Sequence, residues 1–183
     1  MIEKNDNQVV KEVLTGNIQA FGIIIKKYQN PIFNLAMRMV KDYDDAKDIT
    51  QNTFIKAYNK LTSFDNDQVF FSWIYRIAVN ESLNSIKSKK SFNYLDDEKF
   101  SISDSPDDSF VRNELYKSVN DAILELSPEY RTVIILKHLN GLSYQEISEI
   151  TGITEEKVKS RLFTARKRLK DLLEKNSELE YGK

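Results

Sequence analysis

The sequence predicts an all-α protein built of two small helical domains joined by an acidic linker. Three observations predict it. The 183-residue chain carries only five Gly and three Pro, so few positions interrupt a helix. Apolar residues recur at spacings of three and four through both ends of the chain, the period of one helix face. Between those ends, residues 91 to 115 keep no helical period and hold seven acidic against two basic groups, with Pro106 among Asp and Ser. Such a composition reads as a solvated connection.

The net charge of -1 is an average over unlike parts. Residues 1 to 90 hold 13 basic and 10 acidic groups, and residues 116 to 183 hold 12 and 11. The expected division is therefore 1–90, an acidic linker at 91–115, a second domain at 116–178 and a tail at 179–183. Each domain is long enough for a modest helical core.

In the first half, apolar spacing marks helices over 8–28, 31–41, 44–61 and 72–88. On a wheel of about 100° per residue, Ala46, Ile49, Thr50, Thr53, Phe54, Ala57 and Leu61 gather toward a core. The far side presents Asp45, Asp48, Gln51, Asn52, Ile55 and Asn59. Taken alone, an acidic and amide face is an ordinary wet surface. With Ile55 as apolar anchor it also suits docking on a basic partner.

In the fourth helix Ser72 is the expected N-cap. Trp73, Arg76, Asn80, Asn84 and Lys87 fall within roughly 80° of one another on the wheel. Trp at such a place is more often core than ligand contact. The amides, with Lys87, Lys89 and Lys90 trailing, carry the sharper reading: stacking surface, base-edge partners and phosphate partners for single-stranded DNA.

The second half opens with a helix over 116–126. Another starts at Ser127-Pro128-Glu129, where Pro needs no N–H; Val133, Ile134, Leu136 and Leu139 give it an apolar side, and Gly141 ends it. Then comes SYQEISEITGITEEKVKSRLFTARKRLK, residues 143 to 170. Ser143 and Glu146 can form a capping box. Gly152 supplies a left-handed stop, and Thr154 with Glu155 and Glu156 restarts the chain as a helix.

On that last helix Val158, Leu162, Ala165, Leu169 and Leu173 share one side. Ser160, Phe163, Thr164 and Lys167 lie opposite, flanked by Lys157, Lys159, Arg161 and Arg168. A basic face by itself is usually just solvated. A capped turn between two helices, and an aromatic residue on the polar face, favour a helix-turn-helix that reads the major groove.

Exclusions narrow the rest. The chain has no Cys, which removes disulfides, thiolate metal sites and thiol chemistry. No apolar run approaches a membrane span, and MIEKNDNQVVKEV is too polar for a signal peptide; the cytoplasm is the expected location. There is no Gly-rich phosphate loop. His138 is the only His, and Asp44, Asp45 and Asp48 have no companion metal ligands at recognisable spacing. No enzyme, cofactor or metal is expected.

Together the two halves resemble a small sigma factor of the extracytoplasmic function (ECF) group, within the sigma-70 family of bacterial RNA polymerase. DDAKDITQNTFIKAY is similar to region 2.2, FSWIYRIAVN to regions 2.3 and 2.4, and LSPEYRTVIIL with GLSYQEISEITGITEEKVKSRLFTARKRL to region 4. The resemblance covers nearly the whole chain. It implies a region 2-like domain that binds the clamp helices of the polymerase core through Asp45, Asp48, Gln51, Asn52 and Ile55. It also implies that the loop from Thr62 to Phe70, with Ser63, Phe64 and Asp65, joins Trp73, Arg76, Asn80, Asn84 and Lys87 in holding the -10 non-template strand.

The region 4-like domain would read the -35 element through Lys159, Ser160, Arg161, Phe163, Thr164 and Lys167, and dock on the polymerase flap. The linker would thread toward the RNA exit path, and an anti-sigma partner is implied. Thr164 stands where many relatives carry Arg, and the loop SFDNDQVF follows no close consensus. Base preference at both places is this chain's own. The competing reading is a self-sufficient helix-turn-helix regulator with an amino-terminal sensor or dimerisation domain; the Trp73, Asn80 and Asn84 stripe has no use in it.

Overall fold

The computed structural model describes residues 5–65, 67–93 and 110–181, and every regular element among them is helical. Asn5 caps α1 (Asp6–Leu14), its side chain accepting the Asn7 N–H at 3.3 Å. Gly16, at φ 108, turns the chain into a short 3-10 turn and then α2 (Phe21–Val40). The helix expected over 8–28 is thus divided, and the break expected before residue 31 is absent.

Pro31 lies inside α2. Ile24, Tyr28, Ile32, Leu35 and Met39 form one buried row that runs through it. Burying that row outweighs the roughly 3 kcal/mol that an interior Pro costs a helix. Tyr28 also donates its hydroxyl to Asp6 at 2.7 Å, which ties α1 to α2. Burial, then that bond, push its phenol well above the usual range.

Lys41, in the left-handed region at φ 54, ends α2. Asp42 caps α3 (Tyr43–Asn59) by accepting the Asp45 N–H at 2.9 Å. Ala46, Ile49, Thr53, Phe54, Ala57 and Leu61 are buried, the face expected from the wheel. The next helix, α4 (Phe70–Asn93), begins two residues early. Ser72 is therefore no N-cap: it sits inside the first turn and is buried.

Helix α5 (Phe110–Glu125) likewise begins inside the span expected to link the domains. The rest of that span, 94–109, lies outside the described residues. Pro128 opens α6 (Pro128–Ile134), a wider π-turn follows over 135–139, and Gly141 at φ 72 ends the segment. Both halves of the capping box on α7 (Tyr144–Thr151) are present: the Ser143 N–H donates to Glu146 at 2.7 Å and the Glu146 N–H to Ser143 at 3.2 Å. Gly152, at φ 71, stops α7 and α8 (Glu155–Tyr181) follows. It takes in residues 179–181, expected as tail, while 182–183 lie outside the described residues.

One continuous core joins the two halves, with α4 packed on α7 and α2 on α5 and α6. Polar contacts stitch its margins. Ser72 Oγ donates to Glu149 Oε2 at 2.8 Å, and Arg76 Nε donates to the Glu149 carbonyl at 2.9 Å. The buried Arg131 guanidinium donates to the Met39, Leu124 and Leu126 carbonyls. Lys41 pairs with Asp121.

Candidate nucleic-acid interfaces

Helix α8 is held by one side and offers the other. Val158, Leu162 and Ala165 are buried, while Lys159, Ser160 and Lys167 are exposed and Thr164 is half-buried. Phe163 is 73% exposed. Burying such a ring in water-free contact is worth a few kcal/mol, and here it stands on the polar face, uncovered by the rest of the chain. The capping box fixes the start of α7, and the left-handed Gly152 at its other end makes the turn into α8. Bonds from Ser143 hold the Glu146 carboxyl below the ordinary carboxylate range.

Not every cation of α8 is available in the same way. Arg161, expected on the reading face, pairs with Glu129 at 2.8 Å and is drawn toward the first turn of α6. Arg168 lies over the Tyr130 ring at 4.7 Å, and Lys159 lies 5.5 Å from the Tyr144 ring centroid. These contacts orient the stems of the side chains. Lys167 and the Ser160, Phe163 and Thr164 group remain the outward part of the helix.

On α4, Asn80, Asn84 and Lys87 are exposed as the stripe requires. The amino-terminal part of the stripe differs from expectation. Trp73 is half-buried, with its ring centroid 5.2 Å from Phe64 and 5.5 Å from Phe70. Phe64 is only 6% exposed, packed against the Phe70 and Trp73 rings beneath the loop. Aromatic rings pack in this offset manner at about 4.5–7 Å, and here the cluster props up the loop that carries exposed Ser63 and Asp65. Asp65 shapes that loop by accepting the Asp67 N–H at 3.0 Å.

Arg76 also departs from the expected stripe, since its guanidinium is engaged by the Glu149 carbonyl of α7. The α4 stripe and the helix-turn-helix therefore meet at one residue. Beside the stripe, α3 and α4 enclose a cleft of about 560 Å³ lined by Lys56, Asn59, Lys60, Ile77, Asn80, Glu81, Leu83 and Asn84. Asn80 and Asn84 of the expected stripe line this cleft from α4, and Lys56, Asn59 and Lys60, one turn apart, line it from α3 and the residue after it.

On the outer face of α3, Asp48, Gln51 and Asn52 are exposed and Ile55 is 57% exposed. Asp45 is different: it pairs with Lys89 near the carboxyl end of α4 and sits at the edge of this face. No described helix is long and apolar enough to cross a membrane. Among the described residues no group of three or more His, Asp or Glu is placed to hold a metal ion.

Comparison with known proteins accounts for both halves. Residues 24–92 match the family described as Sigma-70 region 2, and residues 116–169 that described as Sigma-70, region 4. The RNA polymerase sigma-H factor of Pseudomonas aeruginosa is 32% identical over 186 residues, which cover 95% of this chain and 96% of the relative. The ECF RNA polymerase sigma factor SigW of Bacillus subtilis is 37% identical over 176 residues, covering 90% and 94%.

Two solved structures share the fold. CnrH in complex with the cytosolic domain of CnrY gives a TM-score of 0.71 at 25% identity, over 92% of this chain and 97% of that one. The sigma factor RpoE with the anti-sigma factor NepR from Bartonella quintana gives 0.69 at 26%, over 84% and 96%. The stand-alone regulator reading gives way here, because the similarity spans the amino-terminal half as well as the helix-turn-helix. With both regions matched in order and whole-length relatives above 30% identity, this chain belongs to the sigma-70 family of RNA polymerase sigma factors, in its ECF group.

Proposed function

We propose that this protein directs RNA polymerase core to a subset of promoters, with no catalysis of its own, by gripping two DNA elements through two separate helices. The upstream -35 duplex is read by α8. Ser160, Phe163 and Thr164 meet base edges, while Lys159 and Lys167 set the register through phosphates. The observation that carries this reading is the 73% exposure of Phe163 on the polar face of a helix that follows a capped turn.

The -10 element is held as a single strand by Asn80, Asn84 and Lys87, with Trp73 as the partly covered stacking surface and Ser63 and Asp65 at the loop. Melting follows from differential binding, in which an extruded base gains more in its pocket than it loses from the duplex. Asp48, Gln51, Asn52 and Ile55 dock on the clamp helices, with Asp45 at the margin, and the second domain docks on the flap. Arg76 joins the strand only when α7 moves away, so promoter binding is coupled to separation of the two halves.

An anti-sigma factor is the expected regulator, by analogy with the relatives solved in such complexes, and the cytoplasm is the compartment where the polymerase works. The test is direct. Purified protein added to core polymerase should start transcription from a minority of fragments in a genomic library, and should not shift duplex DNA tightly by itself. A folded protein that yields no transcript from any fragment would overturn the proposal.

A further inference from the structure

The carboxyl-terminal half holds a cavity that neither DNA element uses. Helices α5, α6 and α8 leave about 570 Å³ between them, walled by Val119, Ile123, Ile134, Leu139, Leu169 and Leu173. A second space of about 340 Å³ lies against α2 at the seam between the halves, and Ile123 and Leu139 line both. Met37 of α2 and Leu124 of α5 add to its wall. The two spaces thus meet as lobes of one aliphatic groove that reaches from the second half to the first.

Charge in the larger lobe is confined to its rim. Arg166 stands there, its Nε donating to His138 Nε2 at 3.2 Å. Burial, then the charges of Arg166 and Lys137, hold that imidazole below its ordinary pKa. Near neutral pH it therefore accepts the bond as an uncharged ring. Among the described residues no carboxylate pairs with Arg166, and a guanidinium held by one nitrogen keeps its other donors for an anion. Lys170, one turn on, pairs with the exposed Glu174 at 3.5 Å.

We propose that this groove binds one long-chain fatty acid, with its carboxylate on Arg166 and its chain laid past Leu139 against Met37. The lining chooses the class. Aliphatic side chains, with no aromatic ring among the described lining residues, suit a flexible hydrocarbon and give a flat ring nothing to stack on. The larger lobe alone lies within the roughly 300–1,000 Å³ of small-ligand sites. A chain that touches both halves binds only while they are together. Its effect on DNA rests on the coupling of the seam to strand binding proposed above; the site itself does not. A mere packing gap would take such a chain without regard to its head group.

The experiment titrates the full-length protein with cis-parinaric acid, whose fluorescence rises in an apolar site, and with its methyl ester, which keeps the chain and lacks the charge. It compares the parent, Arg166→Gln and Leu139→Glu, with thermal unfolding of each to verify the fold; both side chains are exposed. The acid should bind the parent at one equivalent. The ester on the parent, and the acid on Arg166→Gln, should each bind about 10- to 150-fold more weakly, the range of one hydrogen bond to a charged group. Leu139→Glu, which sets a carboxylate in the path of the chain, should weaken the acid at least as far. At ten times its Kd the acid should lower the parent's affinity for a -10 single strand by about tenfold.

Absence of saturable binding, or equal binding of acid and ester, overturns the site. One-to-one binding that leaves strand affinity unchanged, while Glu149→Ala raises it, overturns the bridge across the seam. Head-group-dependent binding in a protein that takes up no strand supports the site and overturns the reading of α4 instead.

Discussion

If the α4 stripe must separate from α7 before it meets DNA, weakening the seam should strengthen strand binding. Glu149→Ala is the sharpest perturbation. It removes the carboxylate that accepts from Ser72 at 2.8 Å while leaving the carbonyl that holds Arg76. Ser72 is 5% exposed, so in the closed arrangement its hydroxyl loses a charged acceptor with no water to replace it. Such a loss is worth about 1.5–3 kcal/mol, and in the open arrangement the hydroxyl is hydrated and loses nothing.

The open fraction should therefore rise by roughly 10- to 150-fold, and apparent affinity for a -10 single strand should rise by up to that factor while the closed form dominates. Fluorescence anisotropy with a labelled strand from a mapped promoter measures it. Ser72→Ala/Glu149→Ala should add little, because the two residues form one contact. A variant that folds normally and binds within twofold of the parent would refute the coupling of the seam to DNA binding.

Further outcomes are expected on α8, at Arg131 and at the capping box. Phe163→Ala should leave thermal stability unchanged, because the ring is already exposed, but weaken upstream duplex binding by about 5- to 150-fold; Lys167→Ala should weaken all sequences and lower the salt slope by about 0.9, and Ser160→Ala should change which sequences bind, as competitive gel shifts will show. Arg131→Met leaves three carbonyls without their donor, a loss of about 3 kcal/mol. It should lower Tm by roughly 6–12 °C at this chain length. The Glu146 carboxyl is depressed by its bonds from Ser143, so the capping box contributes fully above the ordinary Glu value and is lost as pH falls through the depressed one. Hydrogen-exchange protection at the start of α7 should fall over that acid range; Glu146→Gln should abolish the pH step, and Ser143→Ala, which keeps the backbone donor, should only reduce it.

What the sequence made legible was chemistry that acts within one or two turns. The Ser143–Glu146 box, the left-handed Gly152 and the buried row Val158, Leu162 and Ala165 depend on neighbours three or four positions away, and each stands where its residues predict. Pro31 is the instructive contrast. Its local preference ends a helix, but Ile24, Tyr28, Ile32 and Leu35 bury a common face against the rest of the bundle, and that decision is tertiary. Ser72, Phe64 and Arg76 make contacts that the sequence alone does not show. Their partners, Glu149 for two of them and the Phe70 and Trp73 rings for the third, are chosen by packing that no local period encodes.

The placement of Arg76 also decides what can open the seam. Its guanidinium donates to a neutral carbonyl, an acceptor that satisfies hydrogen-bonding geometry without neutralising the charge. A DNA phosphate satisfies both, and an ionised acceptor makes a hydrogen bond about twice as strong as a neutral one. Exchanging the Glu149 carbonyl for a phosphate is therefore favourable at Arg76 itself, and part of what separation of the halves costs is returned at the residue that leaves. Ser72 has no such compensation, since Glu149 is already its charged acceptor. The seam thus divides into a half that DNA competes for and a half that resists, and Arg76→Gln should lower the salt slope of strand binding by about 0.7, the share of one phosphate contact.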